Sequence, residues 1–374
     1  MNEQELLASM ALTQVPYLSL ATLHELYDRF GSATLILQNS NNIRDVLPDA
    51  APRLVSALAD TSAAVHRAEA EYKWAQDNGV SVIPMNSPLY PQRLAGCPDG
   101  PVVLYGKGTA DLNARRVISI VGTRHCTLYG QDVIRQFMHD LHSLCPDVLV
   151  VSGLAYGVDI NAHREALANG YPTVAVLAHG LDQIYPYVHH ATATAMLANG
   201  GLLTEYMSQT KVMKGNFVQR NRIVAGLADA TILVESAAKG GGLITLGIAN
   251  DYHRDTFAFP GAVNAVYSQG CNNSIRDNQA MLVSCVEDFV KSMGWMDDSA
   301  LSEAKKRGIE RQIFPDLTDD ERKIVDILSE TNNLQINILT VKSAIPINRL
   351  TSLLFSLEMK GVIKTMAGGC YHLI

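Results

Sequence analysis

The stretch Val117-Ile118-Ser119-Ile120-Val121-Gly122-Thr123-Arg124 decides the fold of this chain. A short apolar run rich in β-branched residues ends in a glycine. Tyr129-Gly130 then opens a stretch whose apolar spacing over 131–144 is helical. Strand, tight turn and helix follow in that order. The unit recurs downstream: residues 148–152, 173–177, 231–234 and 256–259 read as strands, with helical patterns such as 161–168 between them. Strands that are apolar along their whole length and separated by helices form βαβ units, and hence a parallel sheet covered on both faces. Residues from about 80 to 292 are therefore expected to form an α/β domain, a Rossmann-like doubly wound parallel sheet, with ligands at the carboxyl ends of its strands.

Outward from that domain the chain changes character. The segment up to about residue 72 reads as helical: Leu6, Leu7, Met10 and Ala11, then Leu20, Leu23, Tyr27 and Phe30, lie at helical spacing, with breaks at Pro16, Gly31 and Pro48. Its four arginines are outnumbered by nine acids, which favours a scaffold or protein-facing role over contact with a polyanion. On the other side, residues 295–314 are polar and charged and read as a linker. Beyond them Ile324, Ile327 and Leu328 mark one helix, and Leu350, Leu353, Leu354 and Leu357 another that stops at Gly361. A hairpin of 362–365 and 370–373 around Gly368-Gly369 closes the chain. Helices followed by a β-hairpin wing describe a winged helix. The expected divisions are 1–78, 79–294, 295–314 and 315–374.

Composition narrows the function. The chain has 374 residues, 47% of them hydrophobic and 18% charged, enough to bury more than one core. A net charge of −7 excludes a wholly basic, histone-like nucleic-acid binder but leaves room for a local basic cleft. The six cysteines, Cys97, Cys126, Cys145, Cys271, Cys285 and Cys370, include no C-x-x-C pair, so neither a disulfide framework nor a zinc ribbon is expected. The acidic start Met1-Asn2-Glu3-Gln4-Glu5 is unlike a signal peptide, and no apolar run is long enough for a membrane helix. A cytoplasmic chain without membrane contact is expected.

Three glycine turns fall at strand ends. The first is Gly122-Thr123-Arg124, where backbone amides can approach an anion and Arg124 adds a permanent cation. The second is Ser152-Gly153-Leu154-Ala155-Tyr156-Gly157-Val158-Asp159, with His163 following. No G-x-S-x-G elbow accompanies it, so Asp159 reads as a helix N-cap and His163 as its partner or the loop's. The third is Lys239-Gly240-Gly241-Gly242-Leu243-Ile244-Thr245, after Glu235. None is the G-x-G-x-x-G dinucleotide fingerprint, but three at one sheet edge suit a phosphate-rich ligand. The run from Lys211 to Arg222 carries four cations, Lys211, Lys214, Arg220 and Arg222, with Phe217 among them and no acid. Cations neutralise phosphates and an aromatic face stacks on an unpaired base. One of Arg220 and Arg222 is expected to be structural, and Lys214 and Phe217 are expected to be exposed. The candidate DNA-binding set is Gly122, Arg124, Ser152, Gly153, Ala155, Lys211, Lys214, Phe217, Arg220, Arg222, Gly240, Gly241, Gly242 and Thr245. No catalytic residue, metal ligand or cofactor is expected.

At these residues the chain resembles the DNA processing protein A family, DprA or Smf. The resemblance runs through Val121-Gly122-Thr123-Arg124, Ser152-Gly153-Leu154-Ala155 to Asp159, His163, Tyr185-Pro186, Glu205, Phe217 with Arg220-Asn221-Arg222, Glu235, the third glycine turn and Pro260-Gly261. It implies binding of single-stranded DNA entering by natural transformation, protection of that strand, and help in loading the RecA recombinase. It also implies a homodimer formed through the α/β domain, an N-terminal helical domain like a sterile alpha motif (SAM-like), and the winged helix. The family's DNA-contacting arginine, lysine and phenylalanine correspond to Arg124, Lys214 and Phe217. Two departures stand out. The family's Ser-Gly-Ser-Leu-x-Thr-Ala reads Gly240-Gly241-Gly242-Leu243-Ile244-Thr245-Leu246 here, and the asparagine usual after Tyr-Pro is replaced around His189 and His190.

Two other readings compete. A nucleotide phosphoribohydrolase shares such a sheet and needs a carboxylate beside the sugar, for which Glu235 or Glu205 would serve. A Rossmann-like scaffold without ligand is the third. Four cations between Lys211 and Arg222 are more than one nucleotide needs, and favour a strand with many phosphates.

Overall fold

A computed structural model describes residues 2–295, 317–366 and 369–373. They form two compact units, one holding 2–295 and one holding the described residues from 317 onward. Most of the expected linker at 295–314, and Gly368 of the expected hairpin, lie outside the described residues.

The chain begins with helices Glu3–Leu12, Leu20–Phe30, Ala33–Gln38, Pro52–Ala59 and Ser62–Asp77. Asn2, Ser19 and Ser32 cap three of them by accepting backbone N–H bonds. Gly31 ends the second in the left-handed region, at φ 75°. Their apolar faces do not close on themselves. Met10, Leu12, Leu26, Ile36 and Leu58 share one core with Val80, Val102, Val103 and Tyr105, which border or belong to the edge strands of the sheet. The helical segment and the sheet are thus joined by continuous burial.

The sheet has nine strands: β1 Ser81–Pro84, β2 Val103–Gly108, β3 Arg116–Val121, β4 Val148–Ser152, β5 Thr173–Val176, β6 Gly200–Thr204, β7 Ala230–Leu233, β8 Asp255–Ala258 and β9 Met281–Leu282. Their spatial order is β1-β2-β6-β5-β4-β3-β7-β8-β9. From β6 to β9 neighbours run parallel, while β1 and β2 add an antiparallel margin. The central strands are buried over nearly their whole length, which is why they read as unbroken apolar runs. The polar exceptions are paired: Ser119 Oγ and Thr231 Oγ1 lie 2.7 Å apart across β3 and β7. From β3 the chain steps one way through β4, β5 and β6, then resumes on the other side of β3 with β7. Right-handed crossovers in opposite directions place helices on opposite faces, so the strand order reverses at β3 and a crevice opens there.

The second unit packs helices Asp319–Glu330, Ile336–Ser343 and Ile347–Met359 against strands Leu334–Gln335, Ile363–Met366 and Cys370–Leu373. Its core holds Ile324, Leu328, Leu339, Leu350, Leu354, Leu357 and Val362. A reciprocal capping box of Thr318 and Glu321 starts the first helix. This is a winged helix. Among the described residues, no helix is long and apolar enough to cross a membrane.

Candidate nucleic-acid interface

The turns after β3, β4 and β7 converge on one groove of about 720 Å³ that straddles the reversal point. Backbone bonds stitch them together. Thr123 N–H donates to the Glu235 carbonyl at 2.8 Å, and Val158 N–H donates to the Thr123 carbonyl at 3.1 Å. The turns approach too closely for side chains: a Cβ on Gly242 would stand 2.9 Å from Gly122 Cα, and one on Gly153 would collide with the Arg220 guanidinium.

The groove's charge is one-sided. Arg124, Lys214, Arg220 and Lys239 line it, with Asp159 the one acid among the described lining residues. Arg124 is exposed, and its guanidinium lies over the Phe217 ring at 5.6 Å from the centroid. The Tyr185 ring meets Phe217 edge-on, with centroids 5.8 Å apart. Phe217 is consequently half-buried rather than free, because two neighbours cover it.

Residues 211–222 differ from the expected loop. The helix starts at Lys214 and runs Lys214–Leu227, nine residues earlier than the apolar run from Ile223 suggests. Lys214 is exposed in its first turn, which contains no acid. A cation beside the positive end of a helix is unfavourable by itself and strengthens the site's attraction for an anion. Phe217 sits one turn along, so helical spacing presents the cation and the ring together. The loop entering this helix is anchored from the N-terminal segment. Buried Glu71 accepts from Ser208 N–H at 2.7 Å and from Ser208 Oγ–H at 2.5 Å, and Arg67 donates to the Ser208 carbonyl at 2.7 Å.

Gly122, Arg124, Gly153, Ala155, Lys214, Phe217, Arg220, Gly240, Gly241, Gly242 and Thr245 are brought together in the groove. Three candidates are not. Ser152 is fully buried, and its hydroxyl donates to the Ile120 carbonyl at 2.6 Å. Lys211 is exposed on the incoming loop, outside the lining. Arg222 is buried against Glu205, its Nη2 donating to Oε2 at 2.5 Å, so it belongs to the frame. Burial raises the Glu205 carboxyl, and Arg222 opposes that shift. Arg220 is the more consequential of the two. It is buried yet lines the groove floor, donating to the Val176 carbonyl at 2.7 Å beside Asp159. Burial lowers its pKa and Asp159 works the other way.

Two more expectations are corrected. Asp159 lies inside the helix Val158–Ala168, whose N-cap is Gly157, and it accepts from Ala155 N–H instead. His163 bonds neither cap nor loop; its Nδ1 meets Thr173 Oγ1 at 2.7 Å across the core. Because that hydroxyl already donates to the Val150 carbonyl, Nδ1 must carry the proton. Burial pushes His163 down to about 3.

The two carboxylates that suited a hydrolase are both engaged. Glu205 holds Arg222, and Glu235, 2% exposed, accepts from Thr127 N–H at 2.8 Å and Thr127 Oγ1–H at 2.7 Å at the start of helix Leu128–Leu144. Among the described residues no group of three or more His, Cys, Asp or Glu side chains is placed to hold a metal ion. The lining also includes Thr123, His125, Lys239 and Tyr267, which the candidate set omits. Lys239 was visible in the third turn. Tyr267, which stacks on His125 at 6.0 Å, sits in a segment with no motif to mark it.

A family model described as DNA recombination-mediator protein A matches residues 81–294, and one described as DprA winged helix domain matches 311–369. The chain belongs to the DNA processing protein A family. Within that DprA family, a putative DNA processing protein DprA of Mycobacterium tuberculosis is 34% identical over 278 residues, 74% of this chain and 70% of the relative. Protein Smf of Synechocystis sp. is 36% identical over 203 residues, 53% of this chain, and the match spans 50% of that relative's length. The X-ray structure of DprA from Streptococcus pneumoniae superposes with a TM-score of 0.65 at 27% identity, covering 75% of this chain and 95% of that one. A DprA structure from Helicobacter pylori, which concerns that protein's single-stranded DNA binding mode, gives a TM-score of 0.52 at 28% identity, covering 58% and 96%. The DprA winged-helix match and the fold of the second unit agree.

Proposed function

We propose that this groove binds single-stranded DNA without sequence preference, that the protein protects incoming DNA, and that it helps load RecA during natural transformation. The observation that carries the reading is the Arg124 guanidinium lying over the Phe217 ring, with Lys214 one helical turn away. Two cations and an aromatic face meet there in a groove lined by four cations and one acid. Cations track phosphates, and a ring stacks on any base, so such a site is blind to sequence. In a duplex the bases already stack on one another, so single strands are preferred. Backbone amides of Gly122 and 240–242 supply further anion contacts without the hydroxyls absent from the third turn, whereas the Ala155 amide is already engaged by Asp159.

The same reading makes the protein a binder without turnover, acting in the cytoplasm as a homodimer with DNA and RecA as partners. The segments 1–78, 79–294 and 315–374 then act as scaffold, DNA-binding domain and regulatory or protein-contact module, with 295–314 as linker. The DprA of Helicobacter pylori, which has a single-stranded DNA binding mode, supports the ligand. A gel shift comparing single-stranded with duplex oligonucleotides at two salt concentrations tests it. Tighter binding of the single strand, weakened by salt, is expected, and equal affinity for both would refute the groove's role. Incubation with nucleoside monophosphates is expected to release no free base. Steady release abolished by Glu235→Gln would establish the phosphoribohydrolase instead.

A further inference from the structure

Beyond the groove lies a turn that its chemistry leaves unexplained. After β5 the chain runs through Gln183-Ile184-Tyr185-Pro186-Tyr187-Val188 before the helix His190–Met196. Tyr185, Tyr187 and Val188 are 49%, 78% and 65% exposed. Adjacent exposed apolar side chains of this size mark an interaction surface more often than an accident of packing. We propose that the turn is a second base-stacking subsite, over which a single strand continues after leaving Phe217. The proposal rests on the groove being a single-strand site.

Three observations favour nucleic acid as the occupant. The turn is continuous with the groove: Tyr185 lines it and touches Phe217, whereas Gln183, Ile184 and Tyr187 line a neighbouring hollow of about 620 Å³. One short segment therefore has a ring on each side of the divide. Tyr185 and Tyr187 are two residues apart, at most ~7 Å along an extended chain, a span of one or two nucleotide steps. Both rings are also supported from one side. Tyr187 leans on His190 with centroids 5.5 Å apart and planes 35° apart, and Tyr185 leans on Phe217. A ring already held by a neighbour loses little rotational freedom when a base covers its open face. Finally, the hollow combines an apolar wall with the cation Lys107, which together suit a base and its phosphate, and Asp182 is the acid among its lining residues.

The test is fluorescence anisotropy of the full chain with dT oligonucleotides of about 5 and about 12 nucleotides, within and beyond the reach of one groove. Tyr187→Ala is expected to bind the short oligonucleotide as wild type does and the long one at least about fivefold more weakly, because one base no longer stacks. Tyr187→Phe keeps the ring and is expected to restore the long-strand affinity. Phe217→Ala is expected to weaken both lengths. If Phe217→Ala weakens both and Tyr187→Ala weakens neither, the second subsite is refuted and the ridge is left to a protein partner. If Tyr187→Ala weakens both lengths equally and Tyr187→Phe does not rescue, the residue supports the fold rather than a base, which also overturns the proposal. Wild-type affinity of Phe217→Ala at both lengths would sink the groove itself.

Discussion

Replacing Phe217 with Ala separates stacking from charge within one site. The substitution removes a ring and no charge, so the slope of log affinity against log salt is expected to stay as in wild type. Its cost has two opposed parts. A stacked base contributes about 1–3 kcal/mol when judged by alanine substitution. In the free protein, however, the ring carries the Arg124 guanidinium at 5.6 Å, an exposed cation–π interaction of about 0.5–1 kcal/mol. If a base takes that face, binding gives up the cation–π interaction, and the alanine variant has none to give up. The net cost is then about 0.5–2 kcal/mol, roughly two- to thirtyfold in Kd. If Arg124 keeps its face and the base takes the other, the full 1–3 kcal/mol is expected. Anisotropy titrations of wild type, Phe217→Ala, Arg124→Ala and the double variant, each at several salt concentrations, distinguish the two cases. Additive effects mean that the ring and the guanidinium act independently on the strand, and a double effect smaller than the sum means that they act as one unit. Unchanged affinity of Phe217→Ala, or a slope reduced as if one fewer phosphate were neutralised, would refute the assignment of stacking to this ring.

Alanine at Arg124 or Lys214 is expected to weaken binding and to reduce the salt slope by about 0.7 for each phosphate that is no longer neutralised, read from the same titrations. Arg222→Met leaves Glu205 buried without its cation and is expected to cost about 3–5 kcal/mol in urea unfolding, most of it regained on adding Glu205→Leu, with the folded variant binding DNA normally. His163 is neutral in the folded chain at about 3 and near 6.5 when unfolded, so the unfolded state binds the extra proton as pH falls. Stability is expected to be intact above pH 6.5 and to fall below it by roughly 1.4 kcal/mol per pH unit toward 3, a slope that His163→Gln flattens in urea melts. Deleting residues 315–374, where seven acids outnumber six bases, is expected to cost less than about tenfold in single-strand affinity, and a larger effect would make the winged helix a DNA-binding element.

Local chemistry was enough to read the centre of the sheet. Strands such as Val148–Ser152 are apolar on both faces and end in glycine because both faces are covered and the turn beyond is crowded. The glycine turns, the cationic run and the wing were legible for the same reason, since each is a short pattern with one physical cause. Strand Gly200–Thr204 was not, because two glycines hide its β character and the neighbours β2 and β5 on either side hold it in place. The helix from Lys214 was also obscured, since Lys-Gly-Asn-Phe is a weak helical start and its cationic face points to the groove rather than to a core. Above all, the sequence could not separate Arg220 from Arg222, two residues apart in one motif. Tertiary structure does so because a helix turns them about 200° from each other. One faces the groove floor beside Asp159, and the other meets Glu205, seventeen positions away in the chain and 2.5 Å away in space. Which cation lines the groove depends on the direction in which the helix turns it and on what it packs against, and both exist only once the chain has folded.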